Sequence, residues 1–268
     1  MSSIKKNLKT GLVAGLCAVG LCALGKKLGV PGRIADKAQT VEKIPTPIPF
    51  TRAYAVLAAK QLKPLYDAIA AKIASTGHFN KILDLGSGLG YLPIELSKIS
   101  PDSCIYGVDE SSNLVRLANA ATLGTRANKC VEFSSGGYDN LPFPGRYFDL
   151  AVSVNVLHHW KNPVAVLDEV FHTLLPEGQF WIYDYRNDVP EDLWNAMREK
   201  LPVHLRTMLL FGPIASSRAA YSDEDIRKFV RQTHFEELGI EKISLPLFGH
   251  DTPAFNLIKL AKPIQVKE

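Results

Sequence analysis

Two aspartates, three alternating glycines and a pair of histidines are the residues of this sequence whose types and spacing could do chemistry. In "KILDLGSGLGYLPIELSK", residues 81–98, Asp84 closes an apolar run, and Gly86, Gly88 and Gly90 follow with Ser87 between the first two. Such a turn lets a ligand approach the backbone and the N–H groups that open the next helix. Asp109 ends a second apolar run, "CIYGVD", and Asn155, His158 and His159 end a third, "FDLAVSVNVLHH". A carboxylate after a second strand is placed to accept both hydroxyls of a ribose. The glycine spacing is GxGxG, not the GxGxxG of a pyrophosphate loop, and Asp84 ahead of it would repel a phosphate. An ammonium group matches Asp84 better.

These groups act together only if the fold gathers them, and the order of elements predicts that it does. "KILDL", "CIYGVD", "CVEFSS", "FDLAVSVNVL" and "GQFWIYDY" read as strands, while "LPIELSKI", "SSNLVRLANAAT" and "NPVAVLDEVFHTLL" have helical spacing. This is the rhythm of an α/β fold: a doubly wound, Rossmann-like, mostly parallel sheet with its ligand over the carboxyl ends of the strands. Two alternating runs in "FEELGIEKISLPLFGHDTPAFNLIKLAKP" read as an antiparallel edge pair, making a seven-stranded sheet with an antiparallel C-terminal strand. Upstream, "AYAVLAAKQLKPLYDAIAAKIA" predicts a helix over one sheet face, broken or kinked at Pro64. Residues 186–221 are longer than a crossover needs, and Leu193, Trp194, Met197, Leu201, Leu205 and Met208 predict one or two helices there. They read equally as a structural pair or as a lid.

A ligand with an adenosine ribose, a cationic amino-acid end and no phosphate is S-adenosylmethionine. At this point a resemblance is specific. "ILDLGSGLGYL", "GVDESSNLVRLA", "LPFPGRYFDLAVSVNVLHHWKNPVAVLDEVFHTLLPEGQFWIYD" and "YSDEDIRKFVRQTHF" resemble, in order and spacing, the class I S-adenosylmethionine-dependent methyltransferases, and most of all the small-molecule branch that includes the ubiquinone and menaquinone biosynthesis enzymes. The resemblance covers roughly residues 78 to 260. It implies that Asp84 and the Gly86–Gly90 turn hold the methionine end and that Asp109 binds the ribose. Two departures touch the adenine pocket. Glu110 stands where relatives usually carry an apolar residue, and Gly137 where they often carry an aspartate for the adenine amino group. Tyr138 or Asp139 can substitute, by stacking or by a hydrogen bond.

Methyl transfer is an in-line displacement, so the protein mainly supplies proximity and orientation, plus a base where the nucleophile carries a proton. His158 is the first base candidate, because imidazole titrates near neutrality, and His159 the second. Asp184 and Tyr185 are comparable, although strand-end capping and packing are their plainer roles. "NVLHHW" lacks the Asn-Pro-Pro-Tyr that marks methylation of planar exocyclic nitrogens. Two other functions stay open: a methyltransferase-fold binding or scaffold protein, and a protein or nucleic-acid methyltransferase.

Composition narrows the partners. The chain has 268 residues and a net charge of +4, but residues 1–33 carry six basic residues and no acidic one, leaving 25 basic against 27 acidic in the remainder. That argues against a nucleic-acid surface. Cys17, Cys22, Cys104 and Cys130 show no metal-ligand spacing and fit a reducing compartment, so no metal is expected. The run at residues 10–27 is apolar and flanked by lysines, with Gly11 and Gly15 spaced for close helix contact. Its uncharged part is about 16 residues, just short of the roughly 17–25 of a spanning helix. It reads as a membrane anchor, a targeting peptide or a core helix. Residues 1–33 are therefore taken as an anchor or targeting segment, 34–50 as a linker and 51–268 as the methyltransferase domain. An apolar insertion beside a membrane contact points to a lipophilic acceptor.

Overall fold

The computed structural model describes residues 48–123 and 130–264, so the segment at 10–27 lies outside the described residues. Two compact units divide the chain between Val56 and Leu57. Only Ile48–Val56 of the first are described, and they are helical. The second unit contains the sheet and everything that follows.

Helix α1 (Ile48–Thr76) leads to β1 (Lys81–Leu85), α2 (Tyr91–Ile99), β2 (Cys104–Asp109), α3 (Ser112–Thr122), β3 (Val131–Ser135) and β4 (Phe148–Val154). A 3-10 turn at Leu157–His159 precedes α4 (Pro163–Thr173) and β5 (Leu174–Tyr185). The inserted segment forms α5 (Glu191–Lys200), α6 (Val203–Phe211) and α7 (Pro213–Ala219), and the chain ends with α8 (Asp223–Val230), β6 (Glu236–Leu247) and β7 (His250–Ala261). The sheet order is β3-β2-β1-β4-β5-β7-β6. Strands β1 to β5 are mutually parallel, and β7 runs antiparallel between β5 and β6. The seven-stranded expectation holds, and the strand order reverses between β1 and β4, which opens a crevice at their carboxyl ends.

Side-chain alternation along each strand feeds two cores. Ile82, Val152, Trp181 and Phe255 face α1, α2 and the insertion, while Leu83, Phe148, Phe180 and Ile258 face α4 and α8. Fully buried Leu65, Ile69 and Ile73 fasten α1 to the first core. That anchorage explains one difference from the sequence reading: α1 begins at Ile48, inside the stretch read as linker, and continues through Pro64 without a break. The proline removes one N–H from a helix whose neighbouring turns are held by burial. Strand β5 also begins earlier than expected. Leu174 pairs with Phe148, and the strand then bulges, with Glu177 at φ 64°, before regular pairing resumes at Gln179 opposite Leu150. The insertion is three short helices, and Trp194, Met197, Leu201 and Leu209 are buried in the first core. Its exposed apolar residues include Val203 and Leu210.

Gly90 caps α2 at φ 75°, and a Cβ there would stand 2.5 Å from the Phe133 ring on β3. Gly90→Ala should therefore lower the unfolding free energy by about 2–4 kcal/mol in urea titrations. Phe133→Leu should recover part of that loss in the double variant. An equal cost in both backgrounds would assign the requirement to backbone conformation alone.

Candidate active site

The turn after β1 is built from backbone contacts that leave one side open. Gly86 and Ser87 both donate to the Val108 carbonyl at the end of β2, at 2.7 and 3.0 Å, and Gly90 donates to Ser87 O at 2.8 Å. Gly86 has φ 82°, and a Cβ on it would overlap Val156 at 2.3 Å, so the turn can close only with glycine there. Gly88, at φ 53°, has no atom within 4 Å of where its Cβ would be. That is a cradle with room for a ligand against the backbone. Ser87 Oγ is buried beside it without a hydrogen-bond partner.

Two carboxyl groups line this crevice. Asp84, 3% exposed, lies on the first-core side of β1 between Gly107 of β2 and Val152 of β4. No protein donor among the described residues reaches its carboxyl group, and burial, reinforced by the charge of Asp109, pushes its pKa up to about 8. Asp109 is held differently. Its Oδ2 accepts from Gly88 N at 2.9 Å and its Oδ1 from Ser111 N at 2.8 Å, while Ser111 Oγ caps α3. Burial still raises its pKa, opposed by those two N–H groups. Each oxygen keeps a lone pair for a further donor, as two ribose hydroxyls require.

Asn155 follows β4 in a left-handed conformation, φ 59°, which asparagine tolerates better than most residues. Its N–H donates to Tyr183 O at 2.8 Å, and its Oδ1 is buried without a partner. Tyr138 is half-buried. Burial, with the charges of Asp109, Glu110 and Asp84, holds the phenol well above its ordinary range. The Glu110 side chain itself is exposed. A Cβ on Gly137 would lie 3.0 Å from Asp139 Oδ1, so the Asp139 carboxylate fills the space that a longer residue at 137 would enter.

The histidines go elsewhere. His158 Nδ1 pairs with Asp184 Oδ1 at 2.7 Å, and His158 N–H donates to Asp184 Oδ2 at 3.1 Å. Tyr185 N–H donates to the same carboxylate at 2.7 Å. Both side chains are almost wholly buried, 1% and 4% exposed, on the α4 and α8 side of the sheet, opposite Asp84. The His159 ring lies 4.1 Å from that of His158, tilted by 44°, and although the residue keeps exposed surface, desolvation of its ring together with the neighbouring imidazole pushes its pKa down to about 4. His159 is therefore neutral at neutral pH. The structure thus brings Asp84, Gly86, Ser87, Gly88, Gly90, Asp109, Tyr138 and Asn155 to the crevice at the ends of β1, β2 and β4. Sequence reasoning missed the pairing of His158 with Asp184, residues 26 positions apart on different elements, and the clamp of Gly88 and Ser111 on Asp109. Local pattern carries no signal for either.

The crevice fits S-adenosylmethionine by its own chemistry: a buried carboxyl without a donor for an ammonium, a backbone cradle, and a clamped carboxylate for a ribose. Comparison with known proteins agrees. The family described as methyltransferase domain matches residues 83–182. A sterol 24-C-methyltransferase of Aspergillus fumigatus is 27% identical over 143 residues, 49% of this chain and 38% of that one. A malonyl-[acyl-carrier protein] O-methyltransferase of Priestia megaterium is 26% identical over 197 residues, 69% of this chain and 68% of that one. The chain spans between 37% and 58% of the length of three of the curated relatives it matches. A solved S-adenosylmethionine-dependent methyltransferase from Aquifex aeolicus shares the fold, with a TM-score of 0.55 at 16% identity over 75% of this chain and 91% of that one.

Asp84 also has a cost that can be measured without ligand. The folded protein keeps its proton to about pH 8, whereas the unfolded chain loses it near pH 4, so ligand-free stability falls as pH rises between them. Asp84→Asn should raise the unfolding free energy at neutral pH by roughly 2–5 kcal/mol, and Asp109→Asn should lower the Asp84 pKa seen by carboxyl NMR. An Asp84 that titrates near 4 would refute this account. A stability cost of this kind is one that a cationic ligand would relieve, and the strands that carry it lie within residues 83–182, which match the family described as methyltransferase domain.

Proposed function

We propose that the protein transfers a methyl group from S-adenosylmethionine to an oxygen or carbon of a small, lipophilic acceptor. The observation that carries this is the pair of unlike carboxyl groups, Asp84 without a donor among the described residues and Asp109 clamped by two N–H groups, on neighbouring strand ends. Asp84 and the Gly86–Gly90 turn would hold the methionine end, Asp109 the ribose, and Tyr138 with Asp139 the adenine. Bound there, the cofactor supplies an electrophilic sulfonium methyl. A lipophilic acceptor is supported by the sterol named for one relative and by the exposed Val203 and Leu210 of the insertion at 186–221, which would act as a lid. No described helix is long and apolar enough to cross a membrane, and the proposed membrane contact is residues 10–27.

For an acceptor that carries a proton, His158 is the base. With Asp184 as the acceptor, the 2.7 Å contact places the proton on Nδ1 and would leave the other ring nitrogen to exchange one. The contact is also one that a structural histidine makes. His158→Gln and Asp184→Asn should each lower kcat by about 10²–10⁴-fold, leave the cofactor KM nearly unchanged and remove the acid limb of the pH profile. A loss of folded protein with an unaltered profile would make the pair structural.

A scaffold protein with the same fold is the second reading, favoured by Glu110 and Gly137. Titration calorimetry of the full chain with S-adenosylmethionine separates the two. Binding should weaken by at least about 10-fold in Asp109→Ala, since a hydrogen bond to a charged group contributes roughly 1.5–3 kcal/mol. Below about pH 8 it should release a proton from Asp84, visible as a heat that depends on the buffer and is lost in Asp84→Asn. A folded protein that binds no cofactor would favour the scaffold, and radiolabel passing from bound cofactor to macromolecules of an extract would replace the small acceptor with a protein or nucleic acid.

A further inference from the structure

Cys104 and Cys130 lie outside everything the crevice uses. Cys104 opens β2, with Lys81 of β1 as its strand partner. Ile105 N donates to Cys130 O at 2.7 Å, and Ile105 pairs with Val131, so the two cysteines are the positions one step back on adjacent parallel strands. Ile105 and Val131 both enter the first core. By alternation both cysteines project from the opposite face, side by side, at the amino ends of strands whose carboxyl ends form the ligand site. Neighbouring strands are about 4.8 Å apart, within the roughly 4.4–6.8 Å that a disulfide requires between Cα atoms. Both thiols are partly exposed, and contact with Cys130 followed by burial raises the pKa of Cys104. No group of three or more metal-ligating side chains occurs among the described residues.

We propose that Cys104 and Cys130 are a reversible dithiol–disulfide modification site, oxidised by a low-molecular-weight disulfide. One cysteine thiolate attacks a sulfur of the small disulfide, expels one small thiolate and leaves a mixed disulfide on the protein. The second thiolate then attacks the protein sulfur, forms the Cys104–Cys130 bond and expels the second small thiolate. Two protein thiols are oxidised, one small disulfide is reduced to two thiols, and the two cysteine protons end on those thiols. The bond closes residues 104–130 into a loop that contains α3, Asp109 and Ser111. Oxidation thus ties down the segment bearing the clamped carboxylate from its far end, whatever acceptor the crevice serves.

The test is incubation of the folded full-length chain with oxidised glutathione at about pH 8.5, the pKa of an unperturbed thiol, followed by alkylation, non-reducing digestion and mass mapping. The expected product is a Cys104–Cys130 linked peptide, lighter by two hydrogens, that dithiothreitol returns to two alkylatable thiols. In Cys130→Ser the reaction should stop at a glutathione adduct on Cys104. Stable glutathione adducts on both cysteines of the wild-type chain, two unreacted thiols, or bridges that pair either one with Cys17 or Cys22 would overturn the proposal.

Discussion

Asp84 is kept almost wholly out of water at the point where a parallel sheet reverses its strand order, beside a second carboxylate and, among the described residues, without a donor of its own. An isolated carboxyl group in that position resists ionisation, and it stays only because the surroundings hold it. Ile82 and Leu83 anchor β1 in opposite cores, and β2 and β4 pair with it on both sides. The strand therefore cannot withdraw Asp84 into solvent without losing both cores. The result is a site whose free state opposes ionisation of Asp84, a cost that a cationic ligand would relieve.

The two-sidedness of the sheet divides the chemistry. Asp84 and Asp109 belong to the face covered by α1, α2 and the insertion, and the His158–Asp184 pair to the face covered by α4 and α8. Asn155 stands between them, turned left-handed where β4 ends. That turn lets the chain pass from the cofactor crevice to the histidine pair within a few residues. The glycines after β1 serve the same economy of space: Gly86 yields to Val156, which belongs to the α4 side, while Gly88 stays open toward the ligand.

Much of this was legible in the residues. Apolar runs ended by Asp84 and Asp109, with glycines spaced for a left-handed turn, depend on interactions within a few residues, and local pattern reports those. The alternation of strands with helices carried the sheet and its parallel order for the same reason. Pro64 misled because burial of Leu65 and Ile69 outweighs one missing helix hydrogen bond. The early start of β5 was hidden because Leu174 becomes a strand residue only by pairing with Phe148 across a bulge.

What the sequence determined by itself was the set of groups and their order: an acid ending the first strand, alternating glycines, an acid ending the second strand, and an imidazole after the fourth. Only the tertiary structure decided their states. Asp84 keeps its proton because burial and Asp109 oppose ionisation, Asp109 is oriented because Gly88 and Ser111 converge on it, and His158 is tied because β5 brings Asp184 beside it. Protonation and orientation depend on solvent exclusion and on neighbours distant in the chain, and neither is a property of local sequence.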